Sequence, residues 1–190
     1  KKNVLVKIKK ILSKNTSKKI IFGKNYGYKK KDKSFIFKDN FGTITLPLPN
    51  LLGDFQIDNV ATAIAVVRNL KQVQVKNYHI KKAIQKIRSE GRLQNITKGK
   101  LRKYVSKNNK ILIDGAHNTL AATVVEKYLK TLNSKYKIIM LLGMMANKEH
   151  KKFIQIFENR IHSIITLDIP NQINCIGKEK LSKIATSCGM

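Results

Sequence analysis

The last ninety residues alternate short apolar runs with segments of helical period, and this alternation limits the fold more than any other feature. Residues 110–113, 137–142 and 161–167 read as strands. Between and after them, residues 119–132, 148–159 and 177–186 carry apolar positions at three- and four-residue spacing. Ala121, Val124, Val125, Tyr128 and Leu129 form the expected buried stripe of the first helix. Phe153, Ile154 and Phe157 serve the second, and Leu181, Ile184 and Ala185 the third. Apolar strands alternating with helices predict an α/β domain with a mostly parallel sheet covered on both faces. Residues 101–105 read as one more strand, joined to 110–113 through 106–109. No terminal strand is evident before residue 190, so the sheet is expected to be incomplete.

The preceding residues follow other rules. Residues 34–38 and 43–46 are β-rich runs around Asp39-Asn40-Phe41-Gly42, which supplies turn conformations and predicts a hairpin. Leu46-Pro47-Leu48-Pro49 suits an extended connector, because proline lacks the N–H a central strand needs. Asp54 is a candidate N-cap for a helix presenting Ile57, Val60, Ala61, Ile64, Val67 and Leu70 on one face. A second helix is expected from Asn77, with Ile80, Ala83, Ile84 and Ile87 inward, ending at Glu90-Gly91 in a left-handed cap. Residues 1–33 are Lys-rich. Their short apolar runs, 4–8 and 20–22, read as edge strands and loops.

The formal net charge is +28, which raises the question of a polyanionic partner. Its make-up argues against a dedicated nucleic-acid surface. Of 39 basic residues only 5 are Arg, the side chain whose planar fork suits bases and phosphates. Lys, Ile and Asn together account for 76 of 190 residues, and all three have A/T-rich codons, so base composition accounts for the excess. The longest apolar stretch, 138–146, is nine residues, against about 20 for a membrane-spanning helix. The two cysteines, Cys175 and Cys188, offer neither a disulfide framework nor a four-ligand zinc pattern. These features predict a cytoplasmic protein without a membrane span.

Three segments carry candidate chemistry. In Ile111-Leu-Ile-Asp-Gly-Ala-His-Asn118 an apolar strand ends in an acid, a glycine and a histidine before a helix start. Ligands of open α/β sheets sit at such strand ends. Asp114 is suited to hold a sugar hydroxyl or a cationic side chain, Gly115 to let backbone approach a ligand, and His117 to reach the same crevice. The pattern equally fits a turn followed by an Asn118 N-cap. In Gly91-Arg92-Leu93-Gln94, Arg92 lies at a composition boundary, where an arginine either swings onto a phosphate or stays solvated. In residues 55–63, Asn59 is a polar residue in the first turns of an Ala-rich helix. Its amide either matches the donor–acceptor edge of adenine or satisfies nearby backbone.

Taken in order, these segments resemble one family. With Leu46-Pro-Leu-Pro49 and Leu142-Gly-Met-Met-Ala-Asn-Lys148, the chain is similar over about residues 35–170 to the C-terminal portion of folylpolyglutamate synthase, often bifunctional as dihydrofolate synthase, in the Mur ligase superfamily. The resemblance implies the end of an ATP-binding domain over residues 1–90. A linker and an incomplete Rossmann-like ligase domain would follow over 91–190. It implies an ATP-dependent amide ligase that phosphorylates a folate or dihydropteroate carboxylate and joins glutamate to it. It also implies that Asn59 contacts adenine, Arg92 reaches the ATP phosphates, Asp114 binds the nucleotide, and His117 orders the closed site. Arg92 and His117 would be the catalytic pair. A monomer using ATP and magnesium is expected, with no metal ligand in this chain.

Two positions depart from the family pattern. Thr119 stands where proline is usual, and Phe55 where histidine is frequent. No Gly-x-x-x-x-Gly-Lys-Ser/Thr loop occurs. By the resemblance, the phosphate loop, magnesium ligands and modified lysine would lie before residue 1, making this chain a fragment. Two alternatives compete: a Mur-type ligase of cell-wall precursors and a basic nucleic-acid-binding module. The cell-wall branch usually carries Asp-Tyr-Ala-His-Asn, so Gly115 favours folate. His79, His150 and His162 show no paired metal spacing. Lys148, Lys151 and Lys152 fit a solvated helix start, with attraction of anionic substrates as the alternative.

Overall fold

A computed structural model describes residues 2–190. The chain divides into two compact units, one running to Asn50 and including Gln56–Ile87, the other made of Leu51–Phe55 and Arg88–Met190.

In the first unit, α1 (Lys2–Ser13) precedes an antiparallel sheet of β1 (Tyr26–Lys30), β2 (Ser34–Asp39) and β3 (Gly42–Pro47), in that order across the sheet. The expected hairpin is present, with Asp39 opposite Gly42 and Asn40-Phe41 as its loop. Gly42 has φ +107°, a conformation that favours glycine. β3 is an edge strand, and Pro47 closes it where its missing N–H costs nothing. The expected edge strand over residues 4–8 is corrected to α1. Val4, Ile8, Ile11 and Leu12 recur at helical spacing, a period hidden by reading the apolar run in isolation. At residues 20–22 the only strand-like feature is a bridge from Phe22 to Tyr26. β1 was not anticipated, since Tyr26-Gly-Tyr-Lys-Lys30 has little apolar content.

Helices α2 (Phe55–Arg68) and α3 (Asn77–Lys86) supply the other half of this core. Ile57, Val60, Ala61 and Ile64 of α2, with Ile80 and Ile84 of α3, pack in one cluster with Phe35, Phe37 and Leu46. Phe35 and Phe37 are fully buried, each contributing about 1.5–3 kcal/mol of transfer free energy. Ala61 and Ala65 face the core while Ala63, two residues out of phase, is exposed. α3 ends at Lys86, not at Gly91 as expected: Ile87 already has ψ 136° and leaves the helix.

Polar contacts tie α2 to the sheet. Tyr28 Oη donates to Asp58 Oδ1 at 2.8 Å, and Tyr26 Oη lies 3.0 Å from Thr62 Oγ1. Arg68 forks onto Asp39, Nε to Oδ2 at 2.9 Å and Nη2 to Oδ1 at 3.2 Å. The Asp39 side chain is 3% exposed, so this pair is largely desolvated.

The second unit contains β4 (Gln94–Asn95), a 3-10 turn (Lys100–Tyr104), β5 (Leu112–Ile113), α4 (Thr119–Lys130), β6 (Ile139–Leu142), α5 (His150–Gln155), β7 (Ser163–Thr166) and α6 (Lys178–Ser187). The α/β class is as expected, and β6 and β7 pair in parallel. Met140, Leu142 and Ile164 join a core with Phe153, Ile154, Phe157 and Leu181. Arg160 ties the end of α4 to this core, donating from Nε to Leu129 O at 2.9 Å and from Nη2 to Asn133 O at 3.2 Å.

Two expectations here need correction. Residues 101–105 form no strand. They begin the 3-10 turn after Gly99 at φ +99°, and Tyr104 is 87% exposed. β5 pairs instead, antiparallel, with the polar residues of β4. The β6–β7 sheet is also not covered on both faces. Ile139, Leu141 and Ile165 are all at least half exposed, because the helices that bury Leu142 and Ile164 pack on the other side.

Removing one partner of the Arg68–Asp39 pair strands a buried charge. Arg68→Ala is expected to lower the unfolding free energy by about 3 kcal/mol in urea denaturation, with Arg68→Lys recovering only part because it cannot form the fork.

Candidate functional site

The β4–β5 pairing brings two distant segments together. Gln94 lies opposite Ile113 and Asn95 opposite Leu112, and Ile96 N donates to Ile111 O at 2.9 Å. The residues just before β4 therefore meet those just after β5. Asp114 joins them: its Oδ2 accepts from Leu93 N at 2.7 Å, while its Oδ1 accepts from Ala116 N at 2.7 Å. Gly115 N donates to Gly91 O at 2.8 Å, and Gly91 N donates to Gln94 Oε1 at 3.0 Å. Arg92 is held at the apex of this crossed set of bonds.

Its two neighbours both have left-handed backbone, Gly91 at φ +63° and Leu93 at φ +45°. For glycine that conformation is free, whereas for leucine it costs about 1–3 kcal/mol. Two contacts offset the cost at Leu93. Its side chain is 2% exposed, and its N–H is held by a carboxylate. Gly91 thus shapes this turn rather than a helix end. The Arg92 side chain itself is exposed.

The other side of the site is organised by local capping. Asn118 Oδ1 accepts from Ala121 N at 2.9 Å, making Asn118 the N-cap of α4. Thr119 begins the helix in place of proline without disturbing that cap. His117 is exposed, with Nδ1 2.9 Å from Gly115 O. A carbonyl only accepts, so Nδ1 carries the proton and neutral His117 presents Nε2 as an acceptor. A Cβ added at Gly115 would meet Gly91 O at 3.6 Å, an ordinary contact, so packing does not demand glycine there. Gly143 differs: its Cβ would press on Ile169 Cγ1 at 2.9 Å.

Arg92, Asp114 and His117 are thus brought together in the second unit. Asn59 belongs to the first, exposed on the second turn of α2. Its Nδ2 donates to Gln56 Oε1 at 3.2 Å. Gln56, not singled out in the sequence, is the one buried polar residue of the described chain, at 3% exposure. The available signal was an amide inside an apolar helical stripe, one turn before Asn59. Leu93 was also missed, since left-handed leucine has no sequence signature.

Lys152 is paired with Glu149, and that hydrogen bond, with the attraction between the charges, raises its pKa. Among the described residues no set of three or more His, Cys, Asp or Glu side chains is grouped to hold a metal ion. None of their helices is long and apolar enough to cross a membrane.

Residues 94–171 match the family of dihydrofolate synthetase C-terminal domains. The match starts inside the Gly91–Gln94 turn and takes in Asp114 and His117. No curated protein matches the sequence. Solved structures share the fold. E. coli FolC in complex with DHPP and ADP superposes with TM-score 0.78 and 22% identity, over 94% of this chain and 40% of that one. Mycobacterium tuberculosis folylpolyglutamate synthase complexed with ADP gives 0.74 and 17%, over 87% and 36%. A bifunctional folylpolyglutamate synthase/dihydrofolate synthase with Mn, AMPPNP and L-glutamate bound gives 0.75 and 17%, over 93% and 39%. The chain therefore spans about two fifths of the length of the structures it matches. The family match and the shared fold together bear out the resemblance to the C-terminal portion of folylpolyglutamate and dihydrofolate synthases.

Asp114→Ala should release the turn that carries Arg92. The expected result is faster hydrogen exchange at the Leu93 and Ala116 amides and a loss of about 1–3 kcal/mol of stability, with the Ala121 amide still protected by Asn118.

Proposed function

We propose that this chain forms the nucleotide-gripping part of an ATP-dependent amide ligase that adds glutamate to folate or dihydropteroate. The observation that carries this reading is the Asp114 cross-link, which fixes exposed Arg92 and His117 along one edge. A solvated arginine needs no such anchoring. The related structures with ADP, DHPP and glutamate support the same substrate set. On this reading residues 1–90 are the end of an ATP-binding domain, and 91–190 are a linker with the ligase domain.

The chemistry suits these groups. A carboxylate is a poor electrophile, so its oxygen first takes the γ-phosphoryl group of ATP, releasing ADP. The glutamate amine then attacks the acyl carbon, loses a proton and expels phosphate. Arg92 neutralises charge on the phosphates through its planar fork. Asp114 keeps that arginine's backbone in place, and each of its oxygens retains a lone pair for the nucleotide. His117 offers Nε2 to order the closed site. Asn59 meets adenine with an amide's paired donor and acceptor. Gly115 leaves space for a ligand to approach the backbone. Magnesium has no ligand set among the described residues, so no step is assigned through it here. We further assign the protein to the cytoplasm, as a monomer.

In the full-length protein, Arg92→Ala should lower kcat by about 10²–10³ while leaving the thermal melt unchanged. Unaltered kinetics would remove Arg92 from the site. The isolated 190-residue chain, with no Gly-x-x-x-x-Gly-Lys-Ser/Thr loop, should not hydrolyse ATP; robust hydrolysis would contradict this division of labour.

A further inference from the structure

Gln56 is the polar exception in the core of the first unit. Its neighbours in the α2 stripe, Ile57, Val60 and Ala61, pack against aromatic residues of the sheet. Gln56 is buried as deeply as they are, yet its Nε2 has no hydrogen-bond partner. A buried, unpaired amide end costs about 1–3 kcal/mol, so an apolar residue would serve the core better. The other end of the amide has one evident use: Oε1 accepts from Nδ2 of exposed Asn59, one helical turn away.

That hydrogen bond sets the rotation of the Asn59 amide. An unrestrained asparagine exchanges its oxygen and nitrogen by a half-turn about its last torsion, presenting donor and acceptor in either order. With one N–H committed to Gln56, the order is fixed. Oδ1 and the second N–H remain unused among the described residues. The order matters for a purine. Adenine offers an N6 amino donor beside a ring-nitrogen acceptor, whereas hypoxanthine offers an O6 acceptor beside an N1–H donor. A fixed amide pairs with one and opposes the other, while a freely turning amide fits both.

We propose that Gln56 is a positioning residue for nucleotide choice, locking Asn59 so that the site takes a 6-amino purine and rejects a 6-oxo purine. This rests on the adenine role assigned to Asn59 above and adds the device that makes that contact selective.

The test compares equilibrium binding of ATP and ITP, and kcat/KM for each, in the full-length protein. Gln56→Met and Gln56→Leu keep the bulk and delete the acceptor. Either one, folded by its thermal melt, should reduce the ATP-over-ITP ratio about tenfold, with ITP gaining as ATP loses. Gln56→Glu retains an acceptor oxygen for Asn59 and should restore the ratio, which a purely structural role for Gln56 does not predict. Asn59→Ala separates the two claims. If it abolishes the preference while folded Gln56→Met or Gln56→Leu keeps it, Gln56 does not position Asn59 and the proposal fails alone. If Asn59→Ala also leaves the ratio intact, the adenine assignment falls and takes the proposal with it.

Discussion

The two hydrogen bonds accepted by the Asp114 carboxylate hold the second unit's candidate site together. They join the turn before β4 to the turn after β5, segments separated by 21 residues in sequence. Without that bridge, a two-residue pairing between Gln94–Asn95 and Leu112–Ile113 is a short ladder with little apolar support. With it, Leu93 stays buried in a left-handed conformation and Arg92 leaves the surface at a fixed point. Charge assistance makes such N–H contacts stronger than neutral ones, which suits a position that must offset backbone strain.

Much of the fold was legible from period alone. The hairpin at residues 34–47, helices α2, α3, α4 and α6, and the parallel pair β6–β7 follow from apolar spacing and turn residues. What escaped had weak or misleading local signals. β4 is Gln-Asn, with no strand propensity, and exists because a partner strand and Asp114 hold it. Residues 101–105 alternate like a strand but have no edge to join, so they wind into a 3-10 turn. α1 was hidden by lysines that interrupt its apolar positions. The open face of β6–β7 could not be read from sequence, since Ile139 and Leu141 look like core whichever way they point.

The site was legible as residues but not as geometry. Asp114, His117 and Asn118 were recognisable from the strand-end pattern, and the structure adds that Asn118 is the helix cap while Asp114 reaches back to Leu93. Arg92 was recognisable only beside its glycine; its anchoring depends on a contact 21 residues away that no local rule supplies. Asn59 was picked out by polarity on an Ala-rich helix. Gln56 was passed over because burial depth is a tertiary property, and its relevance rests on being both buried and half-satisfied. The net charge of +28 carries less weight than any of these. It is lysine-dominated and spread along the chain, and its plausible benefit is general attraction of polyanionic substrates.

The most direct test of the proposed ligase chemistry follows the oxygen of the activated carboxylate. Full-length protein is given ATP, glutamate and a folate or dihydropteroate substrate whose acceptor carboxylate carries ¹⁸O. Activation by phosphoryl transfer predicts that one labelled oxygen moves into inorganic phosphate for each amide bond formed. Amide formation with unlabelled phosphate, or ATP turnover indifferent to both co-substrates, would contradict it.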